Sequence, residues 1–425
     1  MGTDQYQPLQ GMSDLAAPDI DIWQALESKS RKLLDGYTVQ EVRTPVLERT
    51  SVFTRSIGDT TDIVQKEMYT FEDRGGRSIT LRPEGTAGVM RHVAGQGPEG
   101  SESRLYYMGP MFRAERPQAG RKRQFHQLGV EFLGCPSPAA DAECIALQQH
   151  LAAEWGLENC RVRINTRGMP EDRTIVSRGL RDRLLSSVSD LCEDCRRRLE
   201  TNPLRVLDCK HESCRGVVDG LPPITDLMSS EARDYYQDVL HILGRLDVEV
   251  EQTPKLVRGL DYYVHTVWEI CHPALGAQDS ISGGGRYLIP VGGREIEGVG
   301  FAVGLERVIA ALKEQGKVED LVEKHRGIWL ISSGKAAFDE NMVLMQTLRL
   351  RGMRCGMDLR NRSMKAQMRL ANRQSASHVI IRGDHEMDNG TFILKDMSTG
   401  DQEELDIPAL MERLHVVPLI DVGGR

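Results

Sequence analysis

The chain opens with apolar residues at helical spacing. In APDIDIWQALESKSRKLLDGY, Trp23, Leu26 and Leu33 share one face, Asp19 and Asp21 suit the positive N-terminal end, and Gly36 stops the helix. Strand-like runs follow: TVQEVRTPVLE, EMYTFED, SITLRP, RLYYMGPMFRAE and QFHQLGVEFLG, separated by turn signals such as RGG. Short connections between such strands predict an antiparallel sheet. SPAADAECIALQQHLAAEWGL predicts a helix, and CRVRINT the strand after it. Residues 171–245 or so are mostly helical, polar and cysteine-bearing, as an insertion would be. Strands return with LVRGLDYYVHTVWEICH and ISGGGRYLIPV, and GVGFAVGLERVIAALKEQG ends as an amphipathic helix.

The polar segment KVEDLVEKHRG then reads as a linker. After it, GIWLISSG, a helix to Arg351, MRCGMDL, a second helix, HVIIRG and TFILKD give the order β-α-β-α-β-β, a compact α/β domain. The expected division is residues 1–325, an α+β domain on an antiparallel sheet with the helical insertion at about 171–245, and residues 326–425, the α/β domain.

Composition narrows the class. An apolar content of 40% and a charged content of 27% are those of an ordinary soluble protein. No apolar run is long enough for a membrane helix, and the start lacks a basic and apolar leader, so the expected location is cytoplasmic. With 54 basic and 62 acidic residues the net charge is −8, which argues against a non-specific nucleic-acid coat and leaves locally clustered basic groups as the route to such a partner. Nine cysteines without a secretory context point to thiols or metal rather than disulfides.

One stretch concentrates chemistry. In FRAERPQAGRKRQFHQLGVEFLG, strand alternation places Phe125, Gln127, Gly129 and Glu131 on one face, and Arg113 and Glu115 share a face of the preceding strand. Pro117 and Gly120 mark the intervening basic segment as the loop of an extended hairpin. A planar arginine fork suits phosphate, and a ring such as Phe125 can stack on a base. The competing reading is a solvated basic loop with Glu131 as an edge residue, since hairpins with charged loops are common.

FRAER followed by RKRQFHQLGVE resembles motif 2 of class II aminoacyl-tRNA synthetases, in the form found in the histidyl-tRNA synthetase family. VRTPVLERTSVF, with Pro45, resembles motif 1. TLRPEGTAGVMRH resembles the histidine-binding strand and turn, LVRGLDYYVHTVWE the histidine signature, and GVGFAVGLERV motif 3. The last hundred residues, RNRSMKAQMRLAN above all, resemble the family's anticodon-binding domain.

The resemblance implies a class II antiparallel-sheet catalytic core and a ligase using histidine, ATP with Mg2+, and tRNA(His). It implies Arg113 on the ATP α-phosphate, Glu115 on the adenine amino group, Phe125 under the ring, Arg121 and Arg123 on phosphates, and Arg307 at the γ-phosphate. Glu84, Thr86 and Gln127 would bind the amino acid's backbone groups. Glu131 and Tyr263, beside Tyr262, would read the imidazole, Tyr287 would close that pocket, and Arg258 would meet the reacting phosphate. Gln118 would meet the acceptor end of tRNA. Arg362, Lys365, Arg369 and Arg373, spaced on or near one helix face, would bind tRNA; a solvated charged face is the other reading. Motif 1 implies a homodimer.

The sequence departs from the family after Tyr287, where LIPVGGREIEG is several residues short, which bears on the lid over the histidine pocket. GGG at 283–285 precedes no lysine and is not a P-loop; close approach of backbone to ligand is the expected use. His92, His126, Tyr106 and Tyr107 read as structural. Two other functions keep the fold: a non-charging regulatory subunit of ATP phosphoribosyltransferase, and a histidine- or RNA-binding sensor. Finally, Cys192, Cys195, Cys209 and Cys214 form a C-x-x-C and a C-x-x-x-x-C pair. Four thiolates so spaced can enclose one structural zinc; four reduced thiols are the alternative.

Overall fold

The computed structural model describes residues 6–58, 61–96, 102–117, 120–207, 209, 211–256, 262–276, 279–291, 293–322 and 327–415. The chain divides into two units, Met1–Leu321 and Val322–Arg425.

In the first unit eight strands form one sheet, in the order Gln40–Glu41, Ser103–Phe112, Gln124–Leu133, Arg294–Gly304, Ser280–Val291, Tyr263–Cys271, Arg161–Thr166, Val250–Gln252. The five inner pairings are antiparallel, and the outermost pairing at each edge is parallel. Leu47–Arg49, Ser78–Leu81 and Tyr69–Glu72 make a separate antiparallel sheet. TVQEVRTPVLE is therefore two short strands rather than one. The chain leaves the large sheet after Val42 and enters the small one at Leu47, and Pro45, which has no N–H to donate, lies in the crossing.

The first helix, Asp19–Gly36, buries Trp23, Leu26 and Leu34, with Leu33 only half-buried. The insertion comprises the helices Pro170–Leu184, Glu193–Thr201, Glu212–Asp219 and Ser230–Arg245 with short turns between them. Its own core includes Val176, Leu180, Leu184, Leu199 and Val218, together with Cys195 and Cys214.

Alternation along Ser280–Val291 sends neighbours to opposite faces. Arg286 is fully buried away from the cavity described below. Its guanidinium meets Asp141 (Nε–Oδ2 3.0 Å) and Glu297 (2.6 Å) and donates to the carbonyls of Cys135 and Ser137, which ties the sheet to the helix Pro138–Glu154. Tyr287, its neighbour, faces the cavity. In the short segment after Tyr287 the two strands stay paired from Leu288 opposite Glu297 to Val291 opposite Arg294, and Gly293 has φ +81°.

In the second unit the strand order is Cys355–Met357, Ile328–Ser332, His378–Arg382, Phe392–Asp396, Gln402–Leu405; the first three are mutually parallel and the last two antiparallel. The helices Lys335–Leu350 and Met364–Arg373 cross over between parallel strands. A helix Asp384–Asn389, the strand Gln402–Leu405 and a helix Ile407–Arg413 add to the predicted order. They are short and polar, which hides their period. Gln367, buried on the second crossover helix, accepts from the Ser332 N–H (3.0 Å) and donates to the Ser332 carbonyl (2.8 Å). Gln367→Leu strands both backbone groups. It is expected to lower stability by about 1–3 kcal/mol in denaturant titration, where an unchanged midpoint counts against the tie.

No described helix is long and apolar enough to cross a membrane.

Candidate active site

The hairpin strands Ser103–Phe112 and Gln124–Leu133 pair in continuous register, Phe112 opposite Gln124 and Leu105 opposite Glu131. With the neighbouring strands Arg294–Gly304 and Ser280–Val291 they carry one face of a cavity of about 1020 Å³. Phe125, Gln127 and Glu131 line it, as period-two spacing requires of one face. The rest of the wall includes Glu84, Thr86, Arg113, Glu115, Arg121, Tyr262, Tyr263, Tyr287 and Arg307.

At one part of the cavity the arginines converge. Arg113 donates from Nε to the Pro83 carbonyl (3.0 Å), and its guanidinium carbon lies 5.1 Å from the Phe125 ring centre. Glu115 sits between two cations, 3.8 Å from Arg113 and 3.1 Å from Arg121. Arg307 donates to the Ser280 carbonyl (2.6 Å). Burial, then the like charge of Arg121, pushes the Arg307 guanidinium below its ordinary value. Cations held together against their own repulsion suit a multiply charged anion.

At another part lies a buried polar trio. The Glu131 carboxyl is 1% exposed, and it accepts from the Thr86 hydroxyl (2.7 Å) and the Tyr287 hydroxyl (2.7 Å) on different oxygens. Burial pushes Glu131 up to about 8, despite both hydrogen bonds. Gly300, on the facing strand, makes the room: a Cβ there would stand 2.1 Å from Glu131 Oε2. Burial and the facing Glu131 raise the Tyr287 hydroxyl well above its ordinary value. Tyr262 sits at ring-centre distances of 4.7 Å from Tyr263 and 5.8 Å from Tyr287. Glu84 caps the helix Thr86–Ala94, accepting the Thr86 and Ala87 N–H groups at 2.8 and 2.9 Å. Gln127 Oε1 is buried and has no hydrogen-bond partner among the described residues.

Some predicted residues fall elsewhere. Arg123 does not line the cavity: its Nε donates to the Glu115 carbonyl and its stem packs on Gly11. Arg258 and Gln118 lie outside the described residues. Gly283 lines the cavity, but Gly284 and Gly285 are small for another reason, the close approach of Trp268 and Tyr263. His126 is structural, held by Glu306 through its backbone N–H and packed on Trp23. In the second unit Lys365, Arg369 and Arg373 form an exposed stripe on Met364–Arg373, opposite buried Gln367 and Ala371. Arg362 precedes that helix and pairs with Asp358 at 2.7 Å.

Pattern reading missed Trp23, Glu67, Arg205, Glu269 and Asp279, which also line the cavity. Glu269 closes the quoted run LVRGLDYYVHTVWE, and the others come from segments without a motif. Burial and the nearby Glu115 carboxylate raise Glu67 above its ordinary value.

The four cysteines of the insertion converge, with their sulfurs all within 4.8 Å of one another.

Fold and site define a class: a catalytic domain on an antiparallel-rich sheet, followed by an anticodon-binding domain. Residues 11–308 match the family model described as histidyl-tRNA synthetase, and residues 327–416 the one described as anticodon binding domain. The histidine–tRNA ligase of Halothermothrix orenii is 45% identical over 412 residues, 95% of this chain and 97% of the relative. That of Bacillus cytotoxicus is 44% identical over 403 residues, 93% and 95% of the two chains. The crystal structure of apo histidyl-tRNA synthetase from S. aureus matches with a TM-score of 0.79 at 34% identity, covering 96% of this chain and 99% of that one. The chain belongs to the histidyl-tRNA synthetase family.

Proposed function

We propose that the chain is a histidine–tRNA ligase. It activates histidine with ATP to histidyl-adenylate, releasing pyrophosphate, and transfers the histidyl group to the 3′ end of tRNA(His). The observation that carries this reading is one cavity that joins converging arginines to a buried carboxyl held by two hydroxyls, in a chain of this family.

The histidine carboxylate attacks the α-phosphorus in line. One P–O bond forms, the bond to pyrophosphate breaks, and no side chain need act as base because the carboxylate is ionised at neutral pH. Catalysis is then orientation plus fixed positive charge. Arg113 would grip the α-phosphate, Phe125 would stack under the adenine that Glu115 reads, and Arg121 and Arg307 would hold the outer phosphates. Arg258 would supply the second cation at the reacting phosphate, an assignment that rests on its motif. Gln127 Oε1, unpartnered and buried, would accept from the substrate amino group, beside the capping carboxylate of Glu84. Glu131, held by Thr86 and Tyr287, would share its proton with an imidazole nitrogen, with Tyr262 and Tyr263 beside it. An amino acid without a ring nitrogen would leave that carboxyl unpaired, the basis of selection.

Mg2+, expected with ATP, would neutralise phosphate charge, and Glu67, a carboxylate of the cavity wall, would be a residue to hold it.

Lys365, Arg369 and Arg373 would bind tRNA phosphates, with Arg362 tethered to Asp358 nearby. Changing the three to alanine is expected to weaken tRNA charging and to lower its salt slope by about one for each phosphate no longer neutralised, while leaving histidine-dependent pyrophosphate exchange intact. Equal loss of both activities would argue against a tRNA role. A homodimer through motif 1 is supported by the small sheet, where Leu47 and Phe71, and Val46 just before the first strand, remain 37–47% exposed. A fully active monomer in sedimentation at micromolar concentration would exclude it. The reading places the protein in the cytoplasm.

Histidine-dependent ATP–pyrophosphate exchange, then charging of tRNA(His), tests the whole. Absence of exchange would favour a regulatory subunit or a histidine- or RNA-binding sensor. The regulatory reading is not favoured, since curated histidine–tRNA ligases match 95% of the chain.

A further inference from the structure

The insertion contains a cluster that the ligase reaction does not use. Cys192 immediately precedes the helix Glu193–Thr201, and Cys195 lies in that helix's first turn. Cys214 occupies the corresponding place in Glu212–Asp219, and Cys209 stands before that helix. Each ligand pair thus straddles the start of a helix, where backbone N–H groups and the positive helix end stabilise thiolate sulfur. The Cys192 N–H donates to the Cys214 sulfur at 3.1 Å. The Cys192 and Cys209 sulfurs are 3.9 Å apart. These are the separations of thiolates around a common centre; a disulfide requires about 2 Å.

Four polarizable sulfurs facing one point inside a small apolar core offer a soft cation a closed tetrahedron and offer little to a hard one. Among the described residues no other group of three or more His, Cys, Asp or Glu side chains converges in this way.

We propose that Cys192, Cys195, Cys209 and Cys214 bind one zinc ion as thiolates. The site is closed and therefore structural. It ties the two small helices of the insertion together where apolar core is scarce. Each thiol releases its proton to solvent as its S–Zn bond forms, so no oxidant or reductant is involved. The metal also fixes a path. The segment between the ligand pairs includes the turn Pro203–Val206, whose Arg205 lines the substrate cavity with a nitrogen 3.9 Å from Asp62.

The test uses the full chain, purified under reducing conditions without chelator. Elemental analysis should find one zinc per chain, and the four thiols should resist a disulfide reagent until a chelator is added. Cobalt(II) in place of zinc should give the intense bands of a tetrahedral tetrathiolate complex. Cys209→Ser should lose the zinc, whereas Cys355→Ser should keep it. Less than a tenth of an equivalent of zinc, with all four thiols reactive in the folded protein, overturns the proposal. So does a cobalt spectrum without thiolate bands, or a full equivalent of zinc retained by C209S.

Discussion

Changing Arg113 to alanine is expected to lower histidine-dependent pyrophosphate exchange by about a hundredfold or more, corresponding to about 3 kcal/mol of lost transition-state stabilisation. The reason lies in the reaction's charges. A carboxylate must approach a polyphosphate, and negative charge builds at the α-phosphoryl oxygens as they meet. Arg113 is held ready for that charge. One nitrogen is fixed by the Pro83 carbonyl and the guanidinium lies against Phe125, so its free edge is presented with little loss of side-chain entropy. Because the interaction strengthens as charge develops, kcat and kcat/KM should fall together. Arg113→Lys should recover only part of the rate, since an ammonium retains charge without the two-oxygen fork. The side chain is partly exposed, so R113A should lose less than about 1 kcal/mol of stability. Near-normal exchange in R113A would falsify the assignment, and equal rates for the lysine variant and the natural protein would remove the fork from it.

Alternation held within the strand Gln124–Leu133 but not for Arg113 and Glu115, which lie past the end of the preceding strand at Phe112. The pleat fixes which residues share a face, and Phe125, Gln127 and Glu131 all line the cavity. The same rule separates Tyr287 from Arg286, but it cannot name the partners. Glu131 meets residues 45 and 156 positions away, and Arg286 meets Asp141 at a separation of 145. Such pairs arise from strand order, which local period does not encode. Arg123, assigned to phosphate by the resemblance alone, does not line the cavity. It lies at the end of a loop, where Gly11 supplies the carbonyl that its N–H meets, and its side chain turns to Glu115. Arg362 stands before a helix start: the spacing is helical, but the helix begins at Met364. The cysteines are the converse case. Two pairs close in sequence needed only one turn between them to meet, and their convergence was legible as a possibility from spacing alone.

Glu131→Gln is expected to damage histidine use and, at alkaline pH, to stabilise the protein. The carboxyl is buried among hydroxyls and lies near Glu84, so its charged form is disfavoured and its folded value rises from an ordinary 4.5 to about 8. In the unfolded chain the group releases its proton near its ordinary value. Between the two, the folded state holds a proton that the unfolded state has lost, so stability falls as pH rises across that window and levels off above the folded value. The full fall is on the order of 5 kcal/mol, at about 1.36 kcal/mol for each tenfold difference in proton affinity between the two states. Glutamine cannot ionise and escapes this penalty. Its amide nitrogen does not accept, so the hydroxyl of Thr86 or Tyr287 must turn away, a loss of about 1 kcal/mol that does not vary with pH. The decisive quantity is therefore the difference in unfolding free energy between variant and natural protein, measured at about pH 5 and again near pH 8.5. It should move in favour of E131Q by several kcal/mol over that interval. The KM for histidine should meanwhile rise at least tenfold with that for ATP little changed, since the amide has no acidic proton to share with the imidazole and a neutral hydrogen bond gives up roughly 1.5 kcal/mol or more against a charged one. A stability difference that is flat in pH would show that Glu131 ionises normally in its buried place. An unchanged KM for histidine would show that another group reads the ring.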